Sequence, residues 1–287
     1  MKIKKYLPWW IKIAAKIVLA RLPIEYGIWK KLHFFEHGSM DNPNYAYNVF
    51  NSHFERTKFE PGFVSLELGP GDSLLSAIVS KSFGGSASYL VDAGEFAVKN
   101  IQPYMIMADF LNKQKLDVPN IKLAQSLEEI LKICNSNYGV SGLSFLKEIP
   151  AQSVDFIWSH AVLEHIKKEE FLDTFIELRR ILKNNGVCSH KIDLKDHLGG
   201  DLNNLRFSEP VWESNFMAKS GFYTNRLRYS EMLEVFSKAG FDVEVVEVKR
   251  WDKLPTPREK FSRKFTELSE EELRISEFSV ILRPSHK

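Results

Sequence analysis

Residues 63–73 read Phe-Val-Ser-Leu-Glu-Leu-Gly-Pro-Gly-Asp-Ser. An apolar run ends in an acid and passes into a Gly-x-Gly turn. This predicts a buried strand over 63–68 feeding a tight turn whose glycines let a ligand approach the backbone. A helix is expected to open at Asp72 or Ser73, both favoured N-cap types. A turn of this kind, at the C-terminal edge of a parallel sheet, binds a nucleotide-like cofactor. The acid narrows the choice. Dinucleotide sites want a third glycine for close helix packing, and that place is Leu74 here. A pyrophosphate gains nothing from the carboxylate of Glu67, whereas a cationic amino acid moiety does.

The rest of the chain continues an alternation of strands and helices. Strands are predicted at 87–92, 154–159 and 187–193, with a poorly patterned one within 136–143. Helices are predicted at about 73–82, 96–112 and 126–135, the last with Ser126 and Glu129 as a capping box. Residues 168–183 place Phe171, Phe175, Leu178 and Leu182 on one face, with Gly186 as the residue that stops the helix. Ser230 is read as the cap of a helix that Gly240 closes, and strands follow at 241–248 and 277–283. This order implies a parallel sheet with right-handed crossovers.

With these segments in place, the chain resembles the class I S-adenosylmethionine (SAM)-dependent methyltransferases. Besides Glu67-x-Gly69-x-Gly71, the segment Tyr89-Leu-Val-Asp92 is similar to the second strand and its terminal acid. Ser153-Val-Asp-Phe-Ile-Trp-Ser-His-Ala-Val-Leu-Glu-His165 is similar to the fourth strand and the helix after it. Phe175 to Gly186 is similar to the next helix and its glycine stop. The resemblance covers roughly residues 60–195. It implies a Rossmann-like α/β fold, with a seven-stranded sheet that is mostly parallel, a last strand that is antiparallel and inserted beside the fifth, and flanking helices. It also implies SAM as cofactor, with Glu67, Gly69 and Gly71 at its methionine end, Asp92 on the ribose, and Ser159 and His160 lining cofactor and substrate. The usual third-strand acid at the adenine edge has no counterpart in Tyr138-Gly-Val-Ser-Gly142, where Ser141 or a backbone group would have to substitute.

The length of 287 residues accommodates this domain over 59–287, a helical extension over 1–58, a substrate-side insertion at 194–229 and a cap at 249–276. The net charge is only +2, but Lys2, Lys4, Lys5, Lys12, Lys16, Arg21, Lys30 and Lys31 crowd the N-terminus. A second basic group runs from Lys249 to Lys264. Nucleic-acid binding usually shows a broader basic excess, so no nucleic-acid partner is expected. Two local patches suit a phosphorylated acceptor or an anionic membrane surface. Residues 7–22 combine paired tryptophans with Lys12 and Lys16. They read either as an interfacial helix giving peripheral membrane contact at the inner face, or as a lid packed over the domain. The lysines interrupt any bilayer span. With only Cys134 and Cys188, a disulfide framework is not expected and a reducing cytoplasm is the default compartment.

For methyl transfer to a hydroxyl, the protein must supply alignment and a base. His160 and His165 are candidates, with His165 read as structural because Leu-Glu-His is shared across acceptors in the resembled family. The second cluster is His190-Lys-Ile-Asp-Leu-Lys-Asp-His197, in which Asp193 and His197 form a candidate base pair. Substrate or base roles rank first there, a solvated loop second and a divalent metal third, and no metal is assigned. Asn203, Asn204, Arg206 and Trp212, with Asn225 and Arg226 nearby, read as a carbohydrate surface or a plain structural loop. The whole-chain pattern, including Phe35-Glu-His-Gly-Ser-Met-Asp and Thr224-Asn-Arg-Leu-Arg, is similar to methyltransferases of bacterial surface-polysaccharide biosynthesis. That implies O-methylation of a sugar in a nucleotide- or lipid-linked glycan. A lipid or quinone-like small-molecule acceptor and a catalytically silent SAM-binding or protein-interaction module stand as alternatives.

Overall fold

The computed structural model describes residues 8–19, 39–57 and 59–285. A seven-stranded sheet runs through the centre of the described chain. Its strands are β1 (Val64–Leu68), β2 (Ala87–Val91), β3 (Ser136–Gly139), β4 (Val154–His160), β5 (Leu182–Asp193), β6 (Phe241–Arg250) and β7 (Ile275–Pro284). The spatial order is β3-β2-β1-β4-β5-β7-β6. The pairs from β3 to β5 are parallel, and β7 runs antiparallel between β5 and β6. The order reverses between β1 and β4, so the carboxyl ends of these strands open a crevice there.

Helices pack on both faces because the central strands are apolar on both. In β4, Ile157 belongs to one core while its neighbours Phe156 and Trp158 belong to the other. Numbered in chain order, the helices are α1 (Trp9–Leu19), α2 (Pro43–Phe54), α3 (Leu75–Ser82), α4 (Gln102–Lys113), α5 (Leu127–Ile133), α6 (Leu143–Glu148), α7 (Lys168–Ile181) and α8 (Tyr229–Lys238). Helices α2 to α5 cover the face with Phe156 and Trp158, and α6, α7 and α8 cover the other. Burying side chains such as Phe50, Phe156, Phe171 and Phe175 contributes roughly 2–3 kcal/mol apiece.

Several local expectations need correcting. Within the helical extension expected over 1–58, α2 is started by Asn42 accepting the N–H of Tyr45 at 3.1 Å. Asp72 and Ser73 do not cap α3: Leu74 holds the N-cap place, and its N–H donates to the Tyr104 hydroxyl at 3.1 Å. Helix α4 starts near Gln102 rather than 96, because Pro103 has no N–H to give and fits only a first turn. Gly186 is no helix stop, since α7 ends at Ile181 and β5 already runs from Leu182. A side chain at Gly186 would strike Leu182 and the Asp155 carbonyl. The start of α8 is fixed by Glu231, which accepts the Arg228 N–H at 3.0 Å, while Ser230 donates to Glu272 instead. Only half of the expected capping box at Ser126 forms: the Glu129 N–H donates to the serine oxygen, but the Glu129 carboxylate accepts from Gln125 N–H and not from Ser126 N–H.

The insertion after β5 and the segment between β6 and β7 build two small cores of their own. Leu202 and Leu205 pack with Phe261, Phe265 and Leu273. Leu198, Trp212, Met217, Phe222 and Tyr223 pack with Ile13 of α1. Helix α1 therefore lays Trp9, Ile13 and Ile17 on the insertion, while Trp10 is 58% exposed. Among the described residues, no helix is long and apolar enough to cross a membrane. The basic residues before Pro8, the stretch 20–38 with most of Phe35–Asp41, and part of the 7–22 segment lie outside the described residues.

Candidate active site

The Gly-x-Gly turn sits at the carboxyl end of β1, flanked by β2 and β4. Gly69 and Gly71 hold φ of +67° and +70°, a region that side chains rarely enter. A Cβ on Gly69 would stand 2.5 Å from both γ-carbons of Val162, so the loop after β4 closes directly onto the glycine backbone. Asp92, just beyond β2, accepts the N–H of Gly71 at 2.9 Å and of Ala93 at 2.8 Å. The acid thus reaches the turn and fixes its shape. Glu67 lies beneath the turn, 3% exposed, and accepts a hydrogen bond from Ser76 of α3. Burial raises its pKa to about 8, with the nearby Asp92 adding to the rise and Ser76 opposing it. A buried carboxyl held protonated at neutral pH, behind backbone that glycine leaves open, is a place where a cationic group would restore the charge. The residues therefore fit SAM, with Glu67, Gly69, Gly71 and Asp92 as those that would hold it. At the third-strand end, Gly142 N–H donates to the Asp92 carbonyl and Asp92 N–H donates to the Gly139 carbonyl.

At the end of β4, side chains alternate between the faces. Ser159 is fully buried and its hydroxyl pairs with His190 Nδ1 at 2.8 Å. The serine side chain is thus turned into the core. His190 is buried as well, and desolvation lowers its pKa to about 3. His160, on the opposite face, is half-buried at the sheet edge. Because Leu68 pairs with Ser159, His160 lies alongside Gly69. Its Nδ1 is 3.4 Å from Nε2 of His53 in α2, and Tyr45 of the same helix faces its ring edge-on. Burial, then the charge of Lys191, lowers the His160 pKa to about 4, with Glu277 opposing. His160 is therefore an uncharged imidazole across the neutral range.

Asp193 ends β5, one strand further out. Its carboxylate accepts the Lys195 N–H at 2.9 Å and lies 3.3 Å from the Lys195 ammonium, which also binds Glu277. His197 lies against His165, ring centroids 4.6 Å apart. The Nδ1 of His165 is 2.9 Å from the Tyr223 carbonyl, a tie that agrees with a structural role for that histidine. Glu164 is buried, with neither carboxylate oxygen in a well-aligned hydrogen bond, and desolvation raises its pKa well above the usual range. Glu164, His165 and His197 bring one ligand atom each within 4.8 Å of one another, a donor set able to hold a divalent cation.

The expected carbohydrate surface is mostly interior. Trp212 is 0% exposed, its indole N–H donates to the Thr224 carbonyl at 2.7 Å, and Phe207 and Tyr223 flank its ring. No face of it is open to a sugar. Asn204 is buried and donates to Thr224. Arg206 binds Asn203 and lies over the Trp9 ring at 5.0 Å, so α1 covers it. Asn225 ties the loop after β4 by donating to the carbonyls of Leu163 and Ile166. Arg226 bonds the Phe207 carbonyl and pairs with Glu209 and Glu213. Thr224–Arg228 is thus a stitch between insertion, sheet and loop. Part of the basic cap is engaged within the chain: Lys264 binds Glu231, Arg258 binds the carbonyls of Thr266 and Leu268, and Lys249 binds Glu277, while Arg250, Lys253 and Lys260 are exposed. Sequence reasoning missed His53, because a histidine on an amphipathic helix carries no signal of which strand end it will meet.

Residues 66–189 match the family described as a methyltransferase domain. The chain carries a SAM-dependent methyltransferase domain. No curated protein matches the chain in sequence. Solved structures similar to this methyltransferase include phosphoethanolamine N-methyltransferase 2 of Haemonchus contortus in complex with SAM (17% identity, TM-score 0.47, 83% of this chain and 53% of that one). Another is geranyl diphosphate C-methyltransferase of Streptomyces coelicolor with Mg2+, geranyl diphosphate and S-adenosylhomocysteine (15% identity, TM-score 0.46, 83% and 79%). A third is a complex of the Haloferax volcanii Trm112 activator with a methyltransferase (16% identity, TM-score 0.46, 84% and 90%). The chain spans about half the length of the Haemonchus protein. At these identities the likenesses assign no acceptor to this methyltransferase.

Proposed function

We propose that this methyltransferase acts on a hydroxyl of a polar acceptor, a sugar of a nucleotide- or lipid-linked glycan, with His160 as general base. The observation that carries this reading is the place of His160: an imidazole at the sheet edge, on the strand next to the glycine turn. When bound, SAM supplies a methyl group activated on a sulfonium sulfur. Glu67, Gly69, Gly71 and Asp92 hold and orient it, and His160 takes the proton that the acceptor hydroxyl gives up. Asp193 and His197 stand one strand away on the acceptor side. With its carboxylate engaged by Lys195, Asp193 suits a hydrogen bond to the acceptor better than proton abstraction. The carboxylate, ammonium and imidazole groups at this rim match an acceptor rich in hydroxyls rather than an apolar one.

The test is transfer of labelled methyl from SAM into fractionated bacterial extract, scored over glycan, lipid, protein and RNA. The glycan or lipid-linked-glycan fraction should take the label. His160→Ala should lower turnover at least 100-fold with SAM affinity unchanged, and Asp193→Ala should mainly raise the acceptor KM. Label confined to apolar lipid, protein or RNA would overturn the sugar acceptor. Full turnover in His160→Ala would overturn the base.

A further inference from the structure

Helix α2 lies outside the matched methyltransferase segment, yet it sends one histidine to the end of β4. His53 is 1% exposed. Its ring is tilted against Trp158 at 5.4 Å and stands perpendicular to the His160 ring at 5.6 Å. Both of its nitrogens are engaged: Nδ1 lies 2.8 Å from the Ser189 hydroxyl of β5, and Nε2 lies 3.4 Å from Nδ1 of His160. A histidine at this depth without a polar purpose would be replaceable by an apolar ring, since its burial is unfavourable unless both nitrogens are satisfied.

We propose that His53 is the positioning residue of the proton-accepting His160, holding it in the tautomer whose bare nitrogen, Nε2, is the one left free for the acceptor hydroxyl. The inference rests on the reading of His160 as base and deepens it. Two proton arrangements satisfy the chain Ser189–His53–His160. In one, His160 Nδ1–H donates to His53 Nε2, and His53 Nδ1–H donates to the Ser189 oxygen. In the other, every donor is reversed and His160 carries its proton on Nε2, where it is useless as a base. The first arrangement is the one assigned. When a hydroxyl proton arrives at His160 Nε2, the ring becomes an imidazolium whose Nδ1–H is already aimed at a bare nitrogen. The positive charge is shared through that bond, offsetting the burial that otherwise disfavours it. No proton need leave His160 until product departs. The distance of 3.4 Å is long for such a bond, as catalytic hydrogen bonds often are before substrate binds.

The assignment also explains why the second imidazole comes from α2 and not from the sheet. The strand partner of His160 on β5 is Lys191, which offers no second imidazole, whereas Ala46, Val49 and Phe50 root α2 in the core against α3 and α4. A ring delivered from such a rooted helix is fixed in position. A loop residue would not be.

The first measurement needs no acceptor. In the full chain labelled with 15N at the histidine rings, two-bond proton–nitrogen spectra report which nitrogen of His160 is protonated. The expected result is a protonated Nδ1 and a bare Nε2, lost in His53→Phe and kept in His53→Gln, whose amide oxygen can accept in place of Nε2. A wild-type His160 protonated on Nε2, or His160 signals unchanged in His53→Phe, would overturn the proposal. The second measurement uses the labelled-SAM assay on the extract fraction that takes methyl. His53→Phe should lower kcat 10- to 100-fold with acceptor KM and SAM affinity within about twofold, and His53→Gln should recover at least half of that loss on a logarithmic scale. A matching rise in KM, or equal loss in both variants, would mean that His53 only packs. If no fraction takes label even with the wild type, the reading of the reaction fails, while the ring spectra still decide the pairing.

Discussion

The buried carboxyl of Glu67 makes the apo fold sensitive to pH in an unusual direction. Its pKa stands near 8 in the folded chain against an ordinary 4.5. Between these values the native state holds a proton that the unfolded chain has lost, so stability must fall as pH rises through that window. At about 1.4 kcal/mol per unit, the fold loses roughly 3 kcal/mol by pH 7 and roughly 4–5 kcal/mol above pH 8, relative to pH below 4.5. Glu67→Gln removes the titration while keeping an oxygen that can accept from Ser76. Urea unfolding of both proteins at pH 5.5, 7 and 8.5, without SAM, reads the effect. The difference in stability between variant and wild type should grow by about 3–4 kcal/mol from pH 5.5 to 8.5 in favour of the glutamine. Saturating SAM should flatten the wild-type slope, because a bound cation favours the ionised carboxylate that high pH would otherwise force. Parallel pH profiles for the two proteins would refute the argument and place the carboxyl in contact with water.

Two further outcomes come from the same geometry. Gly69→Ala forces a Cβ into Val162 at a positive φ, so it should destabilise the fold by roughly 1–3 kcal/mol and weaken SAM binding at least tenfold, read by thermal unfolding and calorimetry. Arg228, 1% exposed, donates to the carbonyls of Leu194, Leu273 and Ile275, and Arg228→Met should cost about 3–5 kcal/mol in denaturant unfolding by leaving these acceptors buried and unpaired; a loss below about 1 kcal/mol would show that water replaces the guanidinium.

The glycine turn was legible because it is local. Glu67, Gly69 and Gly71 sit within five residues of one another, and the turn they make is set by strand, glycine and helix alone. Asp92 was legible because it ends the next strand, and strand ends in a parallel sheet share an edge. The surroundings of the insertion after β5 and of the end of β4 were not. Trp212 reads as a surface aromatic in a polar stretch, yet Ile13 and Met217 close a small core around it. Ser159 and His160 are adjacent in sequence, but the pleat sends one into the core and the other to the crevice. Lys249 and Lys264 of the cap meet carboxylates 28 and 33 positions away, which no local pattern signals.

By itself, then, the sequence determined the alternation of strands and helices and the glycine turn, since hydrophobic period and glycine placement act over a few residues, while the place of the last strand beside the fifth came only from the family resemblance. Only the tertiary structure decided which polar groups meet. His53 and His160 are 107 positions apart, and their contact depends on α2 docking against β4, a consequence of how the apolar faces of both bury, which no local pattern encodes.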